Sequence, residues 1–279
     1  MELLDYAFFR NALWGSLLAS IACGIIGSYV VARRMVFISG GITHASFGGL
    51  GIGFYFGFNP VVSAMVFSIL SAFGIQWLSK SQNVREDSAI AVFWSLGMAI
   101  GIILIFLSPG YAPNLSEYLF GNILTISKTD IYLLTALSTI LVLFFSFFYR
   151  PILNTAFDKE FAQTRGVPVI FFEYTLIMLV AVTIVLSIRL VGIVLLISLL
   201  TVPQMTANIF TNKFSKIMIA SVIISFVGSV AGLLLSYYLN VPSGAFIIFV
   251  LILIFLMGKL VARFVKGKGL KSQRAGDSI

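Results

Sequence analysis

Residues 35–79 run for 45 positions without one Asp, Glu, Lys or Arg. About 20 apolar residues carry a helix across a hydrocarbon core, so this interval is too long for one crossing and has to turn back within itself. Asn59-Pro60 supplies the turn, because the residue before a proline is pushed out of helical geometry. Two spans follow, over 42–58 and 60–79. The charge-free interval 217–258 divides in the same way at Asn240-Val241-Pro242-Ser243-Gly244. Shorter charge-free intervals predict further spans over 11–32, 88–107, 131–149, 174–188 and 190–212. The sum is nine hydrophobic segments and eight to nine crossings, since 174–188 is short and the first segment has the alternative of lying in the interface.

Composition excludes the soluble classes. Hydrophobic residues make up 59% of the chain and charged residues 10%, against about 25% charged in soluble domains, and the mean hydropathy is +1.07. The fold class is therefore an all-α integral membrane bundle, polytopic, with broken helices. The net charge of +8 would suit nucleic acid, but its placement argues for topology instead. With Arg33 and Arg34 set in the cytoplasm and the spans alternating, 15 of the 18 basic residues fall on the cytoplasmic side, as the positive-inside rule requires. The basic excess also attracts anionic lipid, and no nucleic-acid partner is expected. We expect one transmembrane domain over 1–264, with a polar loop over about 150–168, and a basic cytoplasmic tail over 265–279, in a multi-pass protein of the cell (inner) membrane. Cys23 stands alone, so no disulfide forms within the chain.

Several stretches carry chemistry. His44 is the one histidine of the chain, and an ionisable side chain within a membrane is costly enough to suggest function. It reads either as an ion contact, helped by the hydroxyls of Thr43 and Ser46, or as a hydrogen-bond partner of a neighbouring helix. Imidazole suits transition metals, but one histidine does not close a metal site. Gly49, Gly53 and Gly57 recur four apart on one helix face, a spacing that lets helices approach closely in lipid. Phe157-Asp158-Lys159-Glu160-Phe161-Ala162-Gln163-Thr164-Arg165-Gly166 reads as a short amphipathic helix, acidic early and basic late, with an apolar edge of Phe157, Phe161 and Ala162. Glu86-Asp87-Ser88 opens the fourth span as a possible cap. Pro203 and Gln204 lie within the seventh segment, where proline frees a carbonyl and suggests a kinked, pore-side stretch. Arg189 either reaches the outer interface or holds a gate. Asp87, Arg189, Pro203 and Gln204 are the candidates for lining or gating a pore. No phosphate-binding GxxxxGK[ST], GxSxG, HExxH or paired Cys–His cluster occurs, and we expect no catalytic residue and no cofactor bound by this chain.

Taken in order, these residues resemble one family, the membrane permease subunits of bacterial zinc, manganese or iron ABC importers. The likeness runs over about residues 11–262 and is carried by Arg33-Arg34-Met35 with Gly40-Gly41-Ile42-Thr43-His44-Ala45-Ser46, by Glu86-Asp87-Ser88-Ala89-Ile90, by Tyr118-Leu119-Phe120-Gly121-Asn122-Ile123-Leu124, by Phe157-Asp158 with Glu160, Ala162 and Gly166, and by Val191-Gly192 with Leu199-Leu200-Thr201-Val202-Pro203 and Thr206-Ala207. The resemblance implies a homodimer of permeases, each seating a coupling helix (Phe157, Asp158, Glu160, Ala162, Gly166) on a cytoplasmic ATPase subunit that holds ATP and Mg. It also implies an extracytoplasmic metal-binding protein as partner and a divalent metal as substrate, passing near His44. Three positions depart from the family pattern: Gly40 stands where many members have aspartate, Gln204 where many have alanine, and, as a smaller change, Asn122 where the connecting segment usually has aspartate. The alternative is a self-sufficient secondary cation transporter or channel, suggested by the intramembrane histidine and the broken helices.

Overall fold

The structure, a computed structural model, describes residues 6–108, 121 and 126–276, with side chains as far as Phe264. The Tyr118–Leu124 motif, apart from Gly121, lies outside the described residues, as does the chain directly after the fourth span. Among the described residues the chain is helical, with no strand: α1 (Ala7–Ala32), α2 (Val36–Phe56), α3 (Pro60–Ser81), α4 (Glu86–Leu107), α5 (Lys128–Phe147), α6 (Tyr149–Phe157), α7 (Lys159–Thr164), α8 (Val169–Leu199), α9 (Val202–Phe210), α10 (Phe214–Leu239) and α11 (Ser243–Gly276). The tail from 265 continues α11 as far as Gly276.

Local chemistry sets the helix ends. Pro60 opens α3 while the Asn59 side chain accepts from the backbone N–H groups of Val61 at 3.0 Å and Val62 at 3.4 Å. Ser127 and Asp130 form a reciprocal capping box at the start of α5, each side chain accepting from the other's backbone N–H at 3.2 Å. Asn240 ends α10 in the left-handed conformation. Glu86 and Asp87 lie in the first turn of α4 and do not cap it; the capping position is Arg85, whose side chain makes no cap bond.

Two helical columns form the centre. On α1, nearly every residue from Leu18 to Val30 is buried, and α8 is buried on most faces from Phe172 to Leu199. Around them α3, α4, α5, α10 and α11 turn apolar side chains such as Leu70, Phe106, Ile140, Val227 and Leu256 outward. In water such a surface would be costly, and in lipid it is the expected exterior.

The hydrogen bonds of α1 order the bundle by depth. The Asn11 amide donates to the Ile126 carbonyl at 3.3 Å, Ser138 Oγ to Leu18 at 3.2 Å, and Arg33 Nη1 to Ala156 at 3.0 Å. On this scale α8 starts at the Arg33 end, where Glu173 is ion-paired to Arg33, and rises until Ser187 faces Cys23. A straight helix would then carry Leu200 about 20 Å farther in the same direction. Instead, a Cβ on Gly27 would stand 2.7 Å from the Leu200 carbonyl oxygen, so the chain has come back. The reversal is at Gly192, with φ 73° and ψ 168° inside an otherwise helical stretch. That backbone region is closed to side chains with a Cβ.

Seven stretches are long and apolar enough to cross a membrane by length and composition. That number counts Val169–Phe210 once, although it doubles back at Gly192, and omits the glycine-rich α2, which is 21 residues long. Among the described residues the bundle thus has nine limbs of roughly crossing depth. The segments expected over 174–188 and 190–212 are separate limbs, but their boundary falls at Gly192 rather than at Arg189. The second limb is broken again at Leu200-Thr201 before α9.

Candidate functional site

Glycines bring α2 and α4 into backbone contact. A Cβ on Gly97 would lie 2.5 Å from Ala45 Cα, and one on Gly101 2.5 Å from the Phe47 carbonyl oxygen. Gly49 and Gly53 do the same on the α3 side, where a Cβ would meet Ala64 Cα at 2.5 Å and Pro60 Cα at 2.6 Å. Gly57 departs from the expected packing stripe. Its φ of 72° closes α2, and nothing lies within 4 Å of a Cβ placed there, so it serves the turn.

His44 sits half-buried on the α4 side of α2, stacked on Trp94 with ring centroids 4.1 Å apart and planes within 9°. Its Nδ1 is buried and without a hydrogen-bond partner among the described residues. Gly40 is one turn away on the same face, and a Cβ there would find only Trp94 Cζ3, at 4.0 Å. Thr43 and Ser46 are not gathered with the imidazole. Their hydroxyls donate back into α2, to the carbonyls of Ser39 and Thr43, both at 2.6 Å. Ser46 faces a small cavity shared with Val61, Ala64, Val185 and Arg189.

The break before α9 has a local repair. Pro203 has no N–H for the Leu199 carbonyl four residues back. The fully buried Gln204 side chain supplies the missing donor, at 3.1 Å, and also donates to the Cys23 carbonyl at 2.9 Å. Gly27 makes this possible, since a Cβ there would stand 2.3 Å from Gln204 Nε2. Gln204 thus ties the broken limb to α1, and its edge lines a cavity with Ser28, Asn208, Asn212 and Phe157. Near the Gly192 turn, Arg189 Nη1 meets Asp130 Oδ1 at 3.0 Å, so the arginine carries its own counter-ion.

The Arg33 end holds the densest charge. Glu173 is buried to 7% exposure and pairs with three cations: Lys80 on Oε2, Lys159 on Oε1, and Arg33 Nη2, 3.6 Å from the same Oε1. Here too lies the loop expected to be one amphipathic helix over 157–166. It is two short helices, α6 and α7, hinged at Asp158, whose extended backbone (φ −146°) starts α7 while its side chain accepts from the Phe161 N–H at 2.9 Å. Ala162 is buried against the bundle, and Gly166 (φ 71°) ends the turn with its N–H on the Gln163 carbonyl at 2.9 Å. Phe157 and Phe161 point outward at 63% and 45% exposure, with Glu160 exposed beside them and the Arg165 guanidinium 5.2 Å above the Phe161 ring. Asp87 is exposed in the first turn of α4. Sequence reasoning had not singled out Glu173 or Asp130. The signal for the first was present: Glu173 is the one acid between Glu160 and Asp277.

The model of the ABC 3 transport family matches residues 5–262. An uncharacterized membrane protein of Synechocystis is 41% identical over 250 residues, covering 90% of this chain and 89% of its own length. The manganese transport system membrane protein MntC of Halalkalibacterium halodurans is 31% identical over 281 residues, covering 98% and 96%. Among solved structures, a chain of PsaBC from Streptococcus pneumoniae, in complex with Fab, superposes with a TM-score of 0.85 at 29% identity, over 95% of this chain and 97% of that one.

Proposed function

This chain belongs to the ABC 3 transport family, and we propose that it is the permease subunit of an ATP-driven manganese importer, working as a homodimer with separate ATPase subunits and an extracytoplasmic metal-binding protein. The observation that carries this reading is the α6–α7 corner, where two phenylalanines stand exposed at the charged end of the bundle. Exposed aromatics beside charge are what a partner surface requires. In this reading the Arg33 end and the C-terminus are cytoplasmic, and the ATPase seats on Phe157, Phe161 and Glu160, with Asp158 and Gly166 holding the corner in shape. The likeness to a manganese transport membrane protein over nearly the whole chain supports the substrate.

The metal passes His44 in this account. A lone imidazole with no second side-chain ligand gathered beside it among the described residues binds manganese weakly, which suits a path that has to release its cargo. Uptake of radiolabelled manganese by the assembled complex is the test. Excess unlabelled manganese competes and excess zinc does not, while His44→Ala lowers uptake by about tenfold or more. Gly40→Asp fits the space beside Trp94 and places a hard oxygen one turn from His44, so metal is held longer and turnover falls. Full competition by zinc, or unchanged uptake in His44→Ala, would remove manganese or the histidine from the account.

A further inference from the structure

Glu173 has more cations than it can neutralise. Arg33, Lys80 and Lys159 converge on one carboxylate, and their allocation is uneven. Lys80, from the end of α3, takes Oε2. Lys159, the first residue of α7, takes Oε1, and Arg33 waits 3.6 Å from that same oxygen. Arg33 does not depend on the carboxylate for its place, because its Nη1 already donates to the Ala156 carbonyl in α6 at 3.0 Å. Beside the group lies a cavity of about 150 Å3, lined by Arg33, Gln76, Lys80, Lys159 and Glu173. The side chains therefore have room to change partners.

We propose that Glu173 is the joint between the ATPase-docking corner and the transmembrane limbs, and that Lys159 and Arg33 exchange at its Oε1 as the corner moves. The proposal rests on the docking reading above. A buried carboxylate stripped of its only cation would oppose any movement of α7, because an uncompensated buried charge is costly. With Arg33 next to Oε1, α7 can withdraw Lys159 while that oxygen keeps a cation beside it. Lys159 joins the corner to α8, which runs from Glu173 to the reversal at Gly192, so displacement of the corner is passed into the central limbs. Lys159 and Glu173 are positioning residues, acting through the helices they join.

The test is the amount of manganese imported per ATP hydrolysed by the full complex in proteoliposomes. Lys159→Met keeps the ATPase subunit bound but lowers this ratio by about fivefold or more, and Lys159→Arg restores it. Lys80→Met, which touches the other oxygen and no docking helix, leaves the ratio unchanged. An unchanged ratio in Lys159→Met overturns the proposal, and so does an equal fall in both methionine variants, which would make the cluster a structural clamp only. Loss of the bound ATPase in Lys159→Met also overturns it, because the lysine would then belong to the docking face. Failure of the docking reading is seen separately, as ATPase retained when Phe157 and Phe161 are replaced.

Discussion

A Phe157→Asp/Phe161→Asp double variant purifies as a folded permease from which the ATPase subunit is missing. Both rings are exposed at the Arg33 end, and within the chain they give up only an edge-on contact of Phe157 with Phe214 and the Arg165 guanidinium over Phe161, so the isolated chain stays folded. In an interface, an aromatic anchor near the centre contributes about 2 kcal/mol or more on truncation, so losing two weakens association by roughly three orders of magnitude. Charge adds to the effect, because Asp158 and Glu160 already flank the rings and two further acids alter the potential of the whole corner. Co-purification on a tagged permease is the measurement. Undiminished recovery of the ATPase would place its seat elsewhere on the molecule. Ala162 is no substitute for the rings in this test, since it is buried against the bundle and its enlargement would disturb folding rather than docking.

The second large effect lies in the α2–α4 contact. A Gly97→Leu/Gly101→Leu variant unfolds at a markedly lower temperature than the parent, because each new Cβ would lie 2.5 Å from opposing α2 backbone at Ala45 or Phe47. Backbone has no rotamer with which to yield, so the helices have to separate. Overpacking of this kind costs about 1–3 kcal/mol per site or more, against a total stability of about 5–15 kcal/mol. Gly40→Ala is the control, since a Cβ there meets only a ring atom at 4.0 Å. Thermal unfolding in detergent reads the difference. A double-leucine variant as stable as the parent would show that α2 and α4 are not held in backbone contact.

Much of this architecture is legible in the chain. Charge-free intervals reveal membrane limbs because charge is the costliest thing to leave in lipid, and Asn59-Pro60 and Asn240 to Gly244 divide the two long ones where the helices end. The coarse membership was legible too, from motifs whose order matches the family. What remained hidden depends on partners far away in sequence. Arg189 looked like the end of a segment because it is charged, but Asp130 neutralises it, and the helix continues to Gly192, where glycine alone allows the turn. Gln204 reads in sequence as a polar pore residue. In the structure its amide also replaces the donor that Pro203 lacks, a role visible only once Gly27 and Cys23 are seen beside it. Thr43, His44 and Ser46 are adjacent in sequence yet face different neighbours, since successive helical residues turn by about 100°. Glu173 is hard to single out in sequence because one acid at the edge of an apolar run resembles a helix end, whereas its three cations come from the ends of α1 and α3 and the start of α7.

The central claim is that this bundle moves metal only when an ATPase subunit works on its α6–α7 corner. The direct measurement is accumulation of radiolabelled manganese by oriented proteoliposomes, with the metal and its binding protein on the face opposite Arg33 and ATP on the Arg33 face. The account predicts accumulation with the ATPase subunit and ATP present, and none with the permease alone under an imposed proton or sodium gradient. Accumulation by the permease alone would contradict it and make this chain a self-sufficient carrier.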